Sequence, residues 1–184
     1  SMIYAQLKTV PRWNTLLTPV CYLALSIACG VLLSASFGYW DNLVGISIPL
    51  IGLVTIGFAW IMKILWWQNG AKATLDAMGS DTGTATGLGF LGKVRLLEKP
   101  HSGENYLTKE MVHKIGRKHA SKLRMISLVL GAVLPLILCI LALLSSSAMP
   151  FLMALSVLSL LAGLFVERWL FFAEAQHSVS LYYN

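Results

Sequence analysis

Charged side chains are absent from three long stretches of this chain, residues 13–40, 42–62 and 125–166. Lys, Arg, Asp and Glu together make up 12% of the 184 residues, whereas a typical soluble domain contains about 25%. Hydrophobic residues account for 57%, and the mean hydropathy is +0.71. This scarcity of charge excludes a conventional water-soluble domain and indicates an integral membrane protein.

Histidine is missing from the same stretches. A haem buried in a bilayer usually takes histidine ligands from membrane helices, so we expect no haem there. The histidines outside these stretches are His101, His113, His119 and His177.

Cysteine is also scarce, and its spacing forms no CxxC pair. We expect the three cysteines to be small buried apolar residues, with neither a disulfide framework nor an iron–sulfur site. We predict no iron–sulfur cluster in this chain, and the family resemblance described below implies no other metal. The cysteines are Cys21, Cys29 and Cys139.

The lengths of the uncharged stretches predict the number of membrane helices. A bilayer core about 30 Å thick requires about 20 apolar residues of helix. The first two stretches each supply one helix, and the third is long enough for two, divided at residues 145–150. The sequence thus predicts an all-α integral membrane protein with four transmembrane helices in two hairpins, separated by a long basic loop. The predicted helices span about 17–37, 43–66, 125–145 and 150–171.

The positive charges predict the orientation. All 14 Lys and Arg residues lie on one predicted side, with Lys63 placed at the end of the second helix, whereas the opposite turns carry only Asp41. The positive-inside rule places the basic side and both termini in the cytoplasm. No signal peptide is expected before the first helix. The predicted segments are a cytoplasmic-side stretch at 1–16, helix pairs at 17–66 and 125–171, a basic loop at 67–124 and a cytoplasmic-side tail at 172–184.

Aromatic residues mark both predicted membrane borders, where amphipathic rings usually lie among the headgroups. We expect interfacial anchors rather than a ligand cage. These residues are Trp13, Trp66, Trp67 and Trp169 on the basic side, and Tyr39 and Trp40 on the other.

The basic loop has two parts. Residues 70–105 are rich in Gly, Ser, Thr and Asp and predict irregular chain. They include a formal GxGxxG at 87–92, but no strand is predicted before it, so we favour a docking loop over a dinucleotide site. Residues 108–124, with Thr108 as the expected N-cap, predict a basic amphipathic helix that lies among anionic headgroups or docks a soluble partner. The docking candidates are Lys93, Arg95, Lys114, Arg117 and Lys118.

Two features of the later helices stand out. Glu167 and Glu174 are seven residues apart and share one helix face. An ionisable residue at the hydrocarbon border either transfers protons, pairs with a basic residue or simply lies at the interface. Pro135 is predicted to kink the third helix and leave a carbonyl unpaired.

Several segments together resemble the membrane anchor subunits of dimethyl sulfoxide reductase. The resemblance spans nearly the whole chain and matches the C-terminal half of such an anchor. It implies a haem-free protein that holds an iron–sulfur subunit and a molybdopterin catalytic subunit, oxidises menaquinol or another quinol, and serves anaerobic electron transport in the bacterial inner membrane. The segments are YAQLKTVPRWN at 4–14, Thr18-Pro19, GLG at 87–89, KVRL at 93–96, GENYLTKEM at 103–111 and VERWLFFAE at 166–174.

The resemblance also suggests where a quinol binds. The family's principal quinol residues belong to the half that this sequence does not match, so they are not carried over. In well-known members the segment matching 9–11 faces the periplasm with the catalytic subunits, whereas the charges here predict partners in the cytoplasm. Alternatives are a small transporter fragment or a non-redox scaffold, and no nucleic-acid partner is indicated. The expected quinol-site residues are Arg12, Trp13, Glu167, Arg168 and Glu174.

Overall fold

The computed structural model describes residues 1–37, 48–98 and 114–182, and within these ranges every regular element is a helix. Four helices are long and apolar enough to cross a membrane, which confirms the predicted fold class. We call them the first to fourth spans. They comprise Leu17–Ser36, Ile48–Lys72, Ala120–Leu144 and Met149–Ala173.

The four spans form an antiparallel bundle. The first packs along the second and the third along the fourth, while contacts between the first and fourth and between the second and third close the bundle. Small and aliphatic residues fill the centre, as is usual where membrane helices approach closely. Fully buried examples are Ala28, Leu32, Ile56, Ala59, Met153 and Leu160.

The third span changes helix type in its middle. Residues Val129–Val133 form a π-helical turn, and the Leu134 N–H bonds to the carbonyl of Val129, five residues earlier. An α-helix then resumes at Leu134 with Pro135 in its first turn. Proline lacks an N–H and is tolerated at a helix start, so the π turn places Pro135 where its missing donor does least harm.

The carbonyls that this turn leaves without backbone donors are paired by neighbouring spans. The Trp60 indole N–H donates to the Gly131 carbonyl over 2.6 Å, and the Ser159 hydroxyl donates to the Leu130 carbonyl over 2.6 Å. The predicted loss of a helix hydrogen bond at Pro135 is therefore compensated between helices. This compensation is what a protein interior in lipid requires.

On the basic side, short helices cover the end of the bundle. Thr82 donates its hydroxyl to the Leu181 carbonyl, Tyr182 donates to Ala85, and the Ser178 N–H bonds to Thr9. The loop, the C-terminal tail and the N-terminal stretch are thereby joined. The short elements are Met2–Gln6, Asp76–Met78, Thr82–Thr86, Gly89–Leu91, Lys114–Lys118 and Ser178–Tyr182.

The loop differs from its prediction in two respects. Part of the stretch predicted to be irregular is helical, and the basic helix predicted at 108–124 is interrupted at His119. The helix beyond His119 is continuous with the third span, which begins at Ala120 rather than at 125. Residues 108–113, with the expected Thr108 cap, lie outside the described ranges.

Candidate functional site

Lys63 lies inside the second span, not at its end as predicted, because the helix continues to Lys72. Its side chain is 1% exposed and forms an ion pair with the fully buried carboxylate of Glu167 in the fourth span. The ammonium also lies 3.6 Å from the ring centroid of Trp66, an attractive cation–π distance. Burial of a charge is costly unless it is paired, and here both partners are present.

Glu167 is held from a second direction by Arg168, which forms an ion pair with it. The Arg168 guanidinium in turn lies 4.0 Å from the ring centroid of Tyr22 in the first span. The interpretation of Glu167 as an ordinary interfacial residue is therefore wrong. The alternative of pairing with a basic residue is confirmed.

Glu174, at the end of the fourth span, joins two further cations. Its carboxylate lies 2.7 Å from Arg12 and 2.5 Å from Arg124, and its side chain is 3% exposed. Burial lowers the pKa of Arg12, and the nearby Glu174 carboxylate acts in the opposite direction. A guanidinium remains charged at physiological pH because its ordinary pKa is so high.

Positive charge exceeds negative charge in this cluster. Among the described residues, four cations face two carboxylates. We call these six residues the border cluster, since they lie toward the basic side of the bundle. They are Lys63, Arg168, Arg12 and Arg124, with Glu167 and Glu174.

Aromatic side chains enclose the border cluster. Trp13 stacks on Phe171 with centroids 5.0 Å apart and donates its indole N–H to the Phe171 carbonyl. Trp66 donates to the Thr18 hydroxyl over 3.0 Å. Trp13, Trp66 and Trp67 are 5%, 1% and 7% exposed, so their predicted role as headgroup anchors is wrong.

Trp169 differs from the three buried tryptophans. Its side chain is 45% exposed, as an interfacial anchor requires. Tyr39 and Trp40, predicted to be anchors on the opposite border, lie outside the described ranges.

A cleft of about 260 Å³ opens beside the cluster. Arg12 and Glu174 form one side, and Thr74 and Arg117 line it from the loop and from the helix before the third span. Gly70 allows Arg12 to lie against the second span, because a Cβ at this position would come 2.9 Å from the arginine side chain. The cleft therefore combines an acceptor carboxylate with guanidinium donors at the membrane border.

Arg117 reaches the end of the fourth span. Its Nε and Nη2 donate to the carbonyls of Ala173 and Ala175 over 3.1 and 2.7 Å. Cations near a helix C-terminus bind the last carbonyls and complement the helix dipole. Burial lowers the pKa of this guanidinium.

Comparison with known proteins identifies the family. The model of the DMSO reductase anchor subunit (DmsC) family matches residues 1–173. The chain belongs to this family. The resemblance predicted from the sequence segments is thereby confirmed.

One curated relative is the C protein of the sulfite dehydrogenase of Allochromatium vinosum. It is 30% identical over 193 aligned residues, which cover 100% of this chain and 55% of the relative. The chain thus spans about half the length of the curated relative it matches. No solved structure matches the chain.

The fold gathers all five residues expected at a quinol site in this anchor-family chain. Arg12 and Glu174 line the cleft, and Glu167 and Arg168 form the neighbouring ion pair. Trp13 is one of the aromatic side chains that enclose the border cluster. Whether a quinol binds them stays a prediction.

Sequence reasoning missed Lys63, Arg124 and Trp66. A lysine followed three and four residues later by tryptophans, within a helix that stays apolar, was the available signal for Lys63. The sequence around Arg124 gave no such signal. Its partner, Glu174, is 50 residues away in the chain and comes close only when the two helices pack together.

The residues predicted to dock a partner are dispersed over the basic side. Lys93, Arg95 and Lys118 are exposed, Lys114 begins a short helix, and Arg117 holds the end of the fourth span. Their docking role stays a prediction.

The burial predicted for the cysteines is found at two of the three positions, and the predicted absence of an iron–sulfur site or other metal stays a prediction. Cys21 and Cys139 are buried, Cys29 is half-buried, and all three are free thiols. In the part of the chain that the structure describes, no three His, Cys, Asp or Glu side chains are grouped to hold a metal.

Proposed function

We propose that this chain is part of the membrane anchor of a molybdopterin oxidoreductase similar to DMSO reductase, active in anaerobic respiration. In this proposal the anchor oxidises menaquinol or another quinol and passes the electrons to an iron–sulfur subunit, which reduces the molybdopterin subunit. Membership of the anchor family supports the anchoring role. The observation that carries quinol oxidation is the cleft at the membrane border, which the Arg12–Glu174 ion pair lines on one side.

The cleft has the groups that quinol oxidation needs. A quinol loses two electrons and two protons, so its hydroxyls require an acceptor and its oxygens develop negative charge as protons leave. Glu174 would accept a hydrogen bond from one hydroxyl and then its proton, and the second hydroxyl would lose its proton to water at the open side of the cleft. Arg12 would stabilise the charge that develops on the quinol oxygen, since oriented cations in a water-poor site act strongly.

The remaining residues of the border cluster would support the quinol-oxidising role of Arg12 and Glu174. Glu167 and Arg168 lie toward the membrane interior from Glu174 on the same helix, and Lys63 faces them from the second span. Their charges add to the positive potential near the cleft. Trp13, which follows Arg12 in the chain and stacks on Phe171, would hold the Arg12 segment in place beside the cleft.

We further propose that the protein lies in the bacterial inner membrane with its basic side in the cytoplasm, where the partner subunits dock. The distribution of Lys and Arg supports this orientation. In this arrangement the cleft faces the same side as the iron–sulfur subunit. The proposed docking residues are Lys93, Arg95, Lys114, Arg117 and Lys118.

The test compares two electron donors with the intact complex. We expect Glu174→Gln to reduce quinol-dependent turnover about 10²-fold, the lower range for losing a positioned proton acceptor. Turnover driven by a soluble low-potential dye, which reduces the partner subunits directly, should be retained. Lys8→Gln is the matched control, since Lys8 is exposed on the same side. Unchanged quinol turnover in Glu174→Gln overturns the proposal.

Glu167 is tested separately in the same assay. We expect Glu167→Gln to lower quinol-dependent turnover while the iron–sulfur and molybdopterin subunits still co-purify. Native turnover with quinol would remove Glu167 from the proposed site. A complex that no longer forms would instead assign Glu167 to bundle assembly.

A further inference from the structure

The glycine-rich loop motif at 87–92 builds a rigid double turn. Gly87 ends the short helix Thr82–Thr86 with a φ of +70°, which favours glycine. A Cβ on Gly83 would come 3.0 Å from the Cα of Gly89, so the two turns pack backbone to backbone. The motif follows a helix rather than a strand, so the glycines shape a turn instead of a dinucleotide cradle.

This double turn presents apolar side chains outward. Phe90, Leu91 and Leu97 are 83%, 73% and 90% exposed. Lys93 and Arg95 lie between them and are exposed as well. We call residues 90–97 the apolar loop segment. Large apolar side chains held in this manner indicate an interaction surface rather than ordinary loop exposure.

The length of the spans places this segment beyond the hydrocarbon core. The second and fourth spans each have 25 residues, about 37 Å of helix at 1.5 Å per residue. The core is about 30 Å thick, and the charged residues of both helices lie in the halves nearer the basic side. The excess length therefore emerges on the basic side, where Lys72 ends the second span and the loop begins.

The loop is held above the bundle by the C-terminal tail. Thr82 and Ala85 bond to Leu181 and Tyr182, which follow the fourth span. The turn that precedes the apolar side chains is thus tied to the C-terminal tail on the basic side of the bundle. A preorganised surface loses little conformational freedom on binding, which favours a protein partner.

We propose that the apolar loop segment docks the soluble iron–sulfur subunit, with Phe90, Leu91 and Leu97 packing into an apolar patch rimmed by acidic residues. The exposed Lys93 and Arg95 supply the complementary positive charge. This inference rests on the proposed function, because that function supplies the partner. It adds an apolar anchor to a docking surface that the sequence defines only by its charges.

The test measures iron that co-elutes with the affinity-tagged full-length anchor in mild detergent. We expect Phe90→Ser/Leu91→Ser to weaken retention of the iron–sulfur subunit by about tenfold or more, typical of losing apolar hot-spot residues. Leu144→Ser is the matched control, because Leu144 is 80% exposed at the end of the third span. Lys93→Glu/Arg95→Glu should weaken retention most at low salt.

The outcomes separate this inference from the proposed function. Retention of iron by the wild type and by Phe90→Ser/Leu91→Ser alike overturns the docking surface and leaves the proposed function standing. Absence of iron from the wild type, at full yield of anchor, overturns both.

A spin label at Leu91→Cys, in a variant with the native cysteines replaced, tests the environment of the segment. We expect relaxation by a soluble nickel complex without the partner and protection when the partner is bound. Relaxation by oxygen in both states would assign the segment to the bilayer and overturn the inference.

Discussion

Trp60 and Gly131 are joined across the second and third spans by a hydrogen bond of 2.6 Å from the indole N–H to the backbone carbonyl. The carbonyl needs this donor because Pro135, four residues later, has no N–H to offer. The π turn and the buried tryptophan therefore work as one feature. The second and third spans are joined at the carbonyl that lacks a backbone donor.

Replacement of Trp60 tests that feature. We expect Trp60→Phe to destabilise the bundle by about 1 kcal/mol beyond the loss of packing, because the buried Gly131 carbonyl loses its partner. Pro135→Ala restores a backbone N–H, so the cost of Trp60→Phe should shrink in that background. Thermal unfolding of the four proteins in detergent measures the coupling. Equal costs in both backgrounds would contradict the assignment.

The contact between the third and fourth spans depends on glycine. A Cβ on Gly163 would come 2.3 Å from the backbone nitrogen of Gly131, and backbone atoms cannot move aside as a side chain would. We expect Gly163→Ala to cost about 1–3 kcal/mol or more through overpacking. Gly57→Ala is the control, because nothing lies within 4 Å of its added methyl group. A Gly163→Ala protein as stable as Gly57→Ala would contradict the close approach.

The ion pairs of the border cluster predict that loss of Glu167 destabilises the protein more than loss of Lys63. Lys63→Met leaves Glu167 paired with Arg168, whereas Glu167→Gln leaves the buried Lys63 and the half-buried Arg168 without their carboxylate. Loss of one partner of a buried pair costs about 3–5 kcal/mol, so Glu167→Gln should lower the unfolding temperature more than Lys63→Met. The double variant should recover part of the loss. The reverse order of stabilities would show that Lys63 is the main partner.

The helix at Thr82–Thr86 gives a prediction about pH. The Thr84 N–H donates to the Asp81 carboxylate over 2.7 Å, and this bond lowers the pKa of Asp81 below its ordinary value of 3.8. The stabilisation is therefore present above that ordinary value and is lost as the pH falls through the lowered pKa. Hydrogen exchange at the Thr84 amide should follow this course. In Asp81→Asn, hydrogen exchange at the Thr84 amide should no longer show this pH dependence. The same pH profile in Asp81→Asn and in the wild type would contradict the role of the Asp81 carboxylate.

The membrane architecture was predictable because hydropathy and helix length are local properties of the sequence. Charge-free stretches of sufficient length specify spans whatever their neighbours are. Span ends were less predictable, since charged residues such as Lys63, Lys122 and Arg124 lie within helices. The charges of Lys63 and Arg124 are tolerated because of tertiary partners, which a single sequence does not display.

Some members of the site were predictable from the sequence, whereas the surroundings of its aromatic residues were not. The acidic pair Glu167 and Glu174 was found from helix spacing, and both are buried together with cations. The tryptophans, however, were assigned to headgroups on the basis of their position along the chain. Their burial depends on how the N-terminal stretch and the second span meet, as in the bond from Trp66 to Thr18.

The pairing of Lys63 with Glu167 has a consequence for how the protein is made. During synthesis the second span emerges from the ribosome well before the fourth, so Lys63 enters the membrane ahead of its counter-charge. Until the fourth helix arrives, the long lysine side chain must extend toward the headgroups or water. Maturation of the second span therefore depends on the fourth, which is translated later. A chain interrupted before Glu167 would carry an unpaired lysine in its second helix, a defect that quality-control proteases can recognise.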